Sequence, residues 1–123
     1  MKKVEEVLQL AGQTMKREPR GLASHIVLWD LYRRGPLEAV CVLPDADDSS
    51  LQTAQLWLKH LSGHYLPNLV LAVTGPAQPD ASDLAIASGK TAVDGRGTFY
   101  VCRDFRCSAP MTQWEEIEKH LVP

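Results

Sequence analysis

Apolar positions recur every three or four residues at the start of the chain and every second residue further on, so helices precede strands. Val4, Leu8, Ala11 and Met15 share one face of a helix predicted over residues 2–16. Pro19 and Gly21 break it. Leu22, Ile26 and Trp29 line a second helix over residues 22–34, stopped by Gly35 and Pro36. The two form a helical hairpin that cannot make much of a core alone.

The pattern then changes. Residues 37–43 are a short apolar run around Val40, Cys41 and Val42, which predicts a buried strand. After an acidic loop, Ser49 and Gln52 read as a capping box for a helix reaching about Leu61 and ended by Gly63. Residues 69–74 give a second strand, closed by Gly75 and Pro76. Strand, helix and strand in this order suit a parallel crossover. Residues 76–98 carry the weakest pattern: a short helix starting at residues 79–82 and ending near Ser88 and Gly89, then a turn over residues 94–97. Residues 98–102 read as a third strand. Thr112 and Glu115 read as the capping box of a last helix striped by Trp114, Ile117 and Leu121. The predicted class is α/β: a helical hairpin (residues 1–35), then a small, mostly parallel three-stranded sheet with flanking helices (residues 36–123). So thin a sheet leaves an edge or face for another domain or a second copy to cover.

Composition narrows the function classes. The chain has 123 residues, enough for a small core, with 45% hydrophobic content and a formal charge of -2. That charge argues against a dedicated nucleic-acid binder. Residues 1–36 hold seven Lys/Arg against four Asp/Glu, whereas residues 37–83 hold Lys59 against six acids; the asymmetry reads as solvated faces on different elements, with orientation of a partner segment as the alternative. No window is apolar enough to span a bilayer, and no secretory h-region develops. A cytoplasmic or organelle-matrix location, not secretion, is therefore the expectation, and there disulfides are not expected to be structural.

Candidate chemistry gathers at residues 100–110. Cys102 and Cys107 flank Arg103 and Arg106 ahead of the last helix, and cations or a helix N-terminus lower a thiol pKa. The Cys-x4-Cys spacing is not that of the dithiol oxidoreductases. Three readings stand: two small buried hydrophobes at a strand end, a reversible thiol pair, or half of a metal site. A disulfide needs their α-carbons within about 7 Å, which a tight turn at residues 103–106 permits. Zinc wants four ligands, and only two cysteines lie close together. Cys41, inside the first strand, is expected in the core. With three cysteines, at least one lacks an intrachain partner.

Asp45, Asp47 and Asp48 follow the first strand, where α/β proteins bind ligands, and could hold a divalent cation or simply be a hydrophilic loop. His60 and His64 have the spacing of a metal pair but no third ligand. Gly89, Lys90 and Thr91 lack the upstream glycines of a phosphate loop, so a nucleotide site is not predicted. Trp57 and Trp114 read as helix-packing residues, and Trp29 beside Tyr32 as a candidate interface. No complete catalytic site can be assembled, and no cofactor is implied.

Two stretches carry a resemblance. Residues 89–95 (Gly-Lys-Thr-Ala-Val-Asp-Gly), then residues 98–110 from Thr98 through Cys102 and Cys107 to Pro110, with Thr112, closely resemble the C-terminal end of the spermatogenesis-associated, thioredoxin-domain-containing family. His64, Tyr65, Leu66, Pro67 and Asn68 extend it. Members of that family have a thioredoxin-like domain followed by an α/α-toroid similar to sugar epimerases. The resemblance implies that residues 1–35 correspond to the last toroid helices and the remainder to a closing α/β region. It also implies that the family's thioredoxin cysteines and epimerase-like cleft lie outside this chain. Only Cys102 and Cys107 map onto its terminal motif. A fragment or short isoform, or a free-standing relative, are the two expectations for such a chain. A non-catalytic module touching a larger parent protein is the functional expectation, with thiol redox through Cys102 and Cys107 and a small homo-oligomeric binding module as its rivals.

Overall fold

The computed structural model describes residues 2–76 and 84–121. The chain divides into two compact units, Met1–Pro36 and Leu37–Pro123.

In the first unit, α1 (Lys2–Arg17) leads through a 3-10 turn (Pro19–Leu22) to α2 (Ala23–Arg34). Proline at the start of the turn suits its fixed φ. Gly35, at φ +74°, ends α2 with its N–H on the Leu31 carbonyl at 2.9 Å. The Tyr32 hydroxyl donates to the Glu5 carboxylate and ties α2 to α1. That hydrogen bond, with some desolvation and the Glu5 charge, raises the Tyr32 pKa above its usual value. Leu8 is the single buried residue of this unit among those described.

The second unit is a sheet with helices. Its elements are β1 (Leu37–Val42), α3 (Asp48–Ser62), β2 (Leu69–Thr74), β3 (Thr98–Arg103), β4 (Arg106–Cys107) and α4 (Trp114–Leu121). The strand order is β2-β1-β3-β4. β1 and β2 are parallel, Leu37 against Leu69 through Val42 against Thr74. β1 occupies the middle and is buried on both faces, which is why its sequence is apolar without alternation. On one face Leu37, Ala39 and Cys41 pack with Trp57 of α3, Phe99 of β3 and Ile117 of α4. On the other, Val40 and Val42 meet Ala87, Ile86, Ala92 and Tyr100.

The sequence leaves the direction of the third strand open, and the expected three-stranded, mostly parallel sheet is corrected. Among the described residues there are four strands, and only β1 and β2 are parallel. β3 runs antiparallel to β1, with Val42 opposite Thr98 and Glu38 opposite Cys102, and β4 turns back on β3. A parallel third strand requires a crossover to the far end of the sheet. The connection from β2 to β3 instead returns to the end it left. Among its described residues the one helical piece is a 3-10 turn, Ala85–Ala87, laid on the Val40 face. The predicted helix start at residues 79–82 lies outside the described residues.

Caps also shift. Ser49 does not begin α3; Asp47 does, its carboxylate accepting from Ser50 N–H at 2.8 Å. α4 begins at Trp114, where the Gln113 carbonyl accepts from the Glu116 and Ile117 N–H groups, one position later than a Thr112 cap implies. Among the described residues, no helix is long and apolar enough to cross a membrane.

Candidate functional site

The candidate site is the β3–β4 hairpin. Strand alternation assigns its faces: Phe99 and Val101 point into the helix-covered core, so Tyr100 and Cys102 point to the other face. Past Arg103 the chain reverses over two residues, Asp104 at φ +49° and Phe105 at φ +63°. Positive φ at both central residues is the mark of a type I′ hairpin turn, normally built from Asn-Gly or Asp-Gly. Asp tolerates this region; a bulky Phe is a backbone outlier there.

The reversal sets Arg103 opposite Arg106 and Cys102 opposite Cys107. The cysteines are joined as a disulfide with α-carbons 4.0 Å apart. Beyond them, Ser108 N–H donates to the Val101 carbonyl at 2.8 Å, and the Val101 N–H donates to the Ser108 hydroxyl at 3.2 Å. Phe99 and Met111 then exchange two backbone bonds, at 2.8 and 3.0 Å.

Burial divides the pair. Cys102 is 2% exposed, whereas Cys107, on the edge strand, is exposed. Phe105 at the tip is fully exposed. The Arg103 guanidinium donates to the Leu121 carbonyl at 3.0 Å, holding β3 to the end of α4. A hollow of about 640 Å³ beside the hairpin is bordered by Arg103, Arg106, Cys107, Ser108 and His120. The third thiol is separate. Burial in the apolar core pushes Cys41 up to about 12, so it stays protonated and inert.

The other candidates disperse. Asp45, Asp47 and Asp48 are all exposed, and the Asp47 carboxylate is taken up by the Ser50 N–H, which lowers its pKa. Cys102 and Cys107 spend their sulfurs on each other, which removes the metal half-site in this oxidation state. Among the described residues no group of three His, Cys, Asp or Glu could hold a metal ion. His60 and His64 instead both lie against Trp114. His60 stacks on it at 4.7 Å, and His64 tilts at 6.0 Å with its Nε2 3.4 Å from Glu118 Oε1. His60 thus joins α3 to α4, and His64 joins the turn after α3 to the same helix.

Sequence reasoning missed β4 and this imidazole–indole contact, and it allowed a tight turn at residues 103–106 without its left-handed backbone. The one signal for the hairpin was the cysteine spacing. Four intervening residues allow one cross-strand pair and a two-residue loop, which sets the cysteines face to face.

Compared with protein-family models, with curated proteins and with solved structures, the chain matches none.

Proposed function

We propose that the chain is a non-catalytic terminal module of a larger protein, of the thioredoxin-domain and epimerase-like kind that residues 89–112 resemble, and that α1 and α2 complete its helical body. One observation carries this reading. The helical pair buries Leu8 alone among its described residues, while Leu10 is 83% exposed and Val7, Ile26, Val27 and Trp29 are each at least two-fifths exposed. Helices gain most of their stability from packing apolar side chains, and this pair leaves these five open to solvent. A groove of about 580 Å³ along it is lined by Leu8, Met15, Ile26 and Trp29. The partner is then protein, not nucleic acid or membrane, and the setting is the cytoplasm or an organelle matrix.

The test is co-purification of this chain with the α/α-toroid of such a protein from which the matching C-terminal end has been removed. Association that Leu10→Glu and Val27→Glu abolish supports the reading. Failure to associate, a stable homo-oligomer in light scattering, or turnover of a simple carbohydrate by the chain alone overturns it.

A second reading is favoured by the Cys102–Cys107 disulfide: a reversible thiol–disulfide pair. In a reducing compartment, a disulfide with one exposed member is of the transient or sensing type rather than a permanent crosslink. Native mass spectrometry under non-reducing conditions tests it. A two-hydrogen deficit that a small thiol removes, and that returns on oxidation, supports it. Three free thiols in the native chain sink it.

A further inference from the structure

Resting on the thiol–disulfide reading, we infer that residues 103–106 form a spring set against the Cys102–Cys107 disulfide, so that the pair is a readily opened clasp whose reductant is a small-molecule thiol. Four features of the tip bear against its closed form. Asp104 and Phe105 both hold left-handed backbone, which L-residues adopt with strain and a bulky aromatic rarely adopts at all. Arg103 stands directly across from Arg106, and like charges in that position repel. The Arg103 guanidinium is held by the Leu121 carbonyl, which limits its retreat. The Phe105 ring is fully exposed, so no packing offsets the strain beneath it.

Little else keeps the tip shut. β4 is two residues long, and the next backbone bond down the hairpin is from Ser108 to Val101. A strained site persists only when its surroundings over-determine it, and here the disulfide is the chief constraint. Opening it lets residues 103–106 leave the left-handed region while Val101 and Ser108 stay paired. Strain present only in the closed form therefore shifts the equilibrium toward the dithiol.

The exchange balances without another cofactor. The thiolate of a small thiol attacks the Cys107 sulfur, the member on the exposed edge; the S–S bond breaks, and buried Cys102 leaves as a thiolate and takes a proton. A second thiolate attacks the small-molecule sulfur of the mixed disulfide and releases Cys107. Two thiols become one small disulfide, and two electrons pass to the pair. Cys41, buried and protonated, does not intervene.

The experiment equilibrates the full chain in glutathione redox buffers, then acid-quenches, alkylates and weighs it. Phe105→Gly removes the Phe105 share of the strain and moves the equilibrium about fivefold toward the disulfide, net of the freedom glycine adds to the open chain. Phe105→Ala removes the ring but keeps an L-residue in the same backbone region, and stays within about twofold of the native chain. An unchanged equilibrium in the glycine variant, or an equal shift in the alanine variant, overturns the inference while the thiol–disulfide reading stands. A native chain with no two-hydrogen deficit before reductant is added overturns both.

Discussion

Asp47 shows how one carboxylate can look like a ligand in sequence and work as a cap in the fold. Its oxygen accepts from the Ser50 N–H at the start of α3, where the helix dipole also favours negative charge. These bonds hold its carboxyl below the usual range. The cap's stabilisation is therefore present above the unfolded value of about 3.9 and lost as pH falls through the depressed folded value. Urea midpoints check this: Asp47→Ala unfolds earlier at neutral pH, and the gap to the native chain closes in acid. Asp47→Asn keeps a cap that no longer depends on pH. Cys41 has the opposite sign. Its thiol is raised to about 12 by burial, so its contribution is full below the unfolded value of about 8.5 and is lost as pH rises toward 12. An alkylating reagent at mildly alkaline pH should leave Cys41 unmodified in the folded chain and label it on unfolding. Cys41→Ser sets a hydroxyl among Leu37, Trp57 and Phe99 and costs about 1–3 kcal/mol, with Cys41→Ala costing less.

Among the elements, the two phenylalanines make the sharpest contrast. Phe99 is 1% exposed and meets Trp57 edge to face at 5.6 Å, whereas Phe105 touches only solvent. Phe99→Ala should cost about 3–5 kcal/mol in urea unfolding and Phe105→Ala less than about 0.5 kcal/mol. Gly75, at φ +155°, is a backbone counterpart: a Cβ there lies 2.8 Å from the Leu43 carbonyl oxygen. The same physics explains what the sequence made legible. The helices announce themselves through 3.6-residue spacing, and β1 and β2 through apolar runs, because those signals are local. The direction of β3 is not local. Thr98, Phe99 and Tyr100 read alike in either sense, and the end of the sheet at which the long connection emerges decides it. β4 has no pattern at all: Arg106 and Cys107 become a strand because two left-handed residues fold them back. For the same reason the sequence named the cysteines but not their bond. Cys-x4-Cys fits a helix, a loop or a hairpin, and only a reversal at Asp104 and Phe105 brings the sulfurs together.

At the scale of the molecule, the two units are unequally furnished. The second surrounds β1 with apolar residues on both faces, including Leu37, Val40, Phe99, Ile117 and Leu121, each at most 1% exposed. The first has Leu8, the Tyr32–Glu5 bond, and an exposed Asp30–Arg34 pair at 2.8 Å, and surface ion pairs of that type contribute little. Short helices without a packed face are marginal in water. Hydrogen exchange on the full chain should therefore be uneven. Amides of α1 and α2 exchange within about tenfold of the unfolded-chain rate, while those of β1 and its partners in β2 and β3 open only with global unfolding. Adding the helical body named in the proposal should then slow α1 and α2 and leave β1 unchanged, because only the open apolar face has something to gain from a partner. Protection of α1 equal to that of β1 in the free chain would mean that the helical pair needs no partner, and would remove the main support for reading this chain as part of something larger.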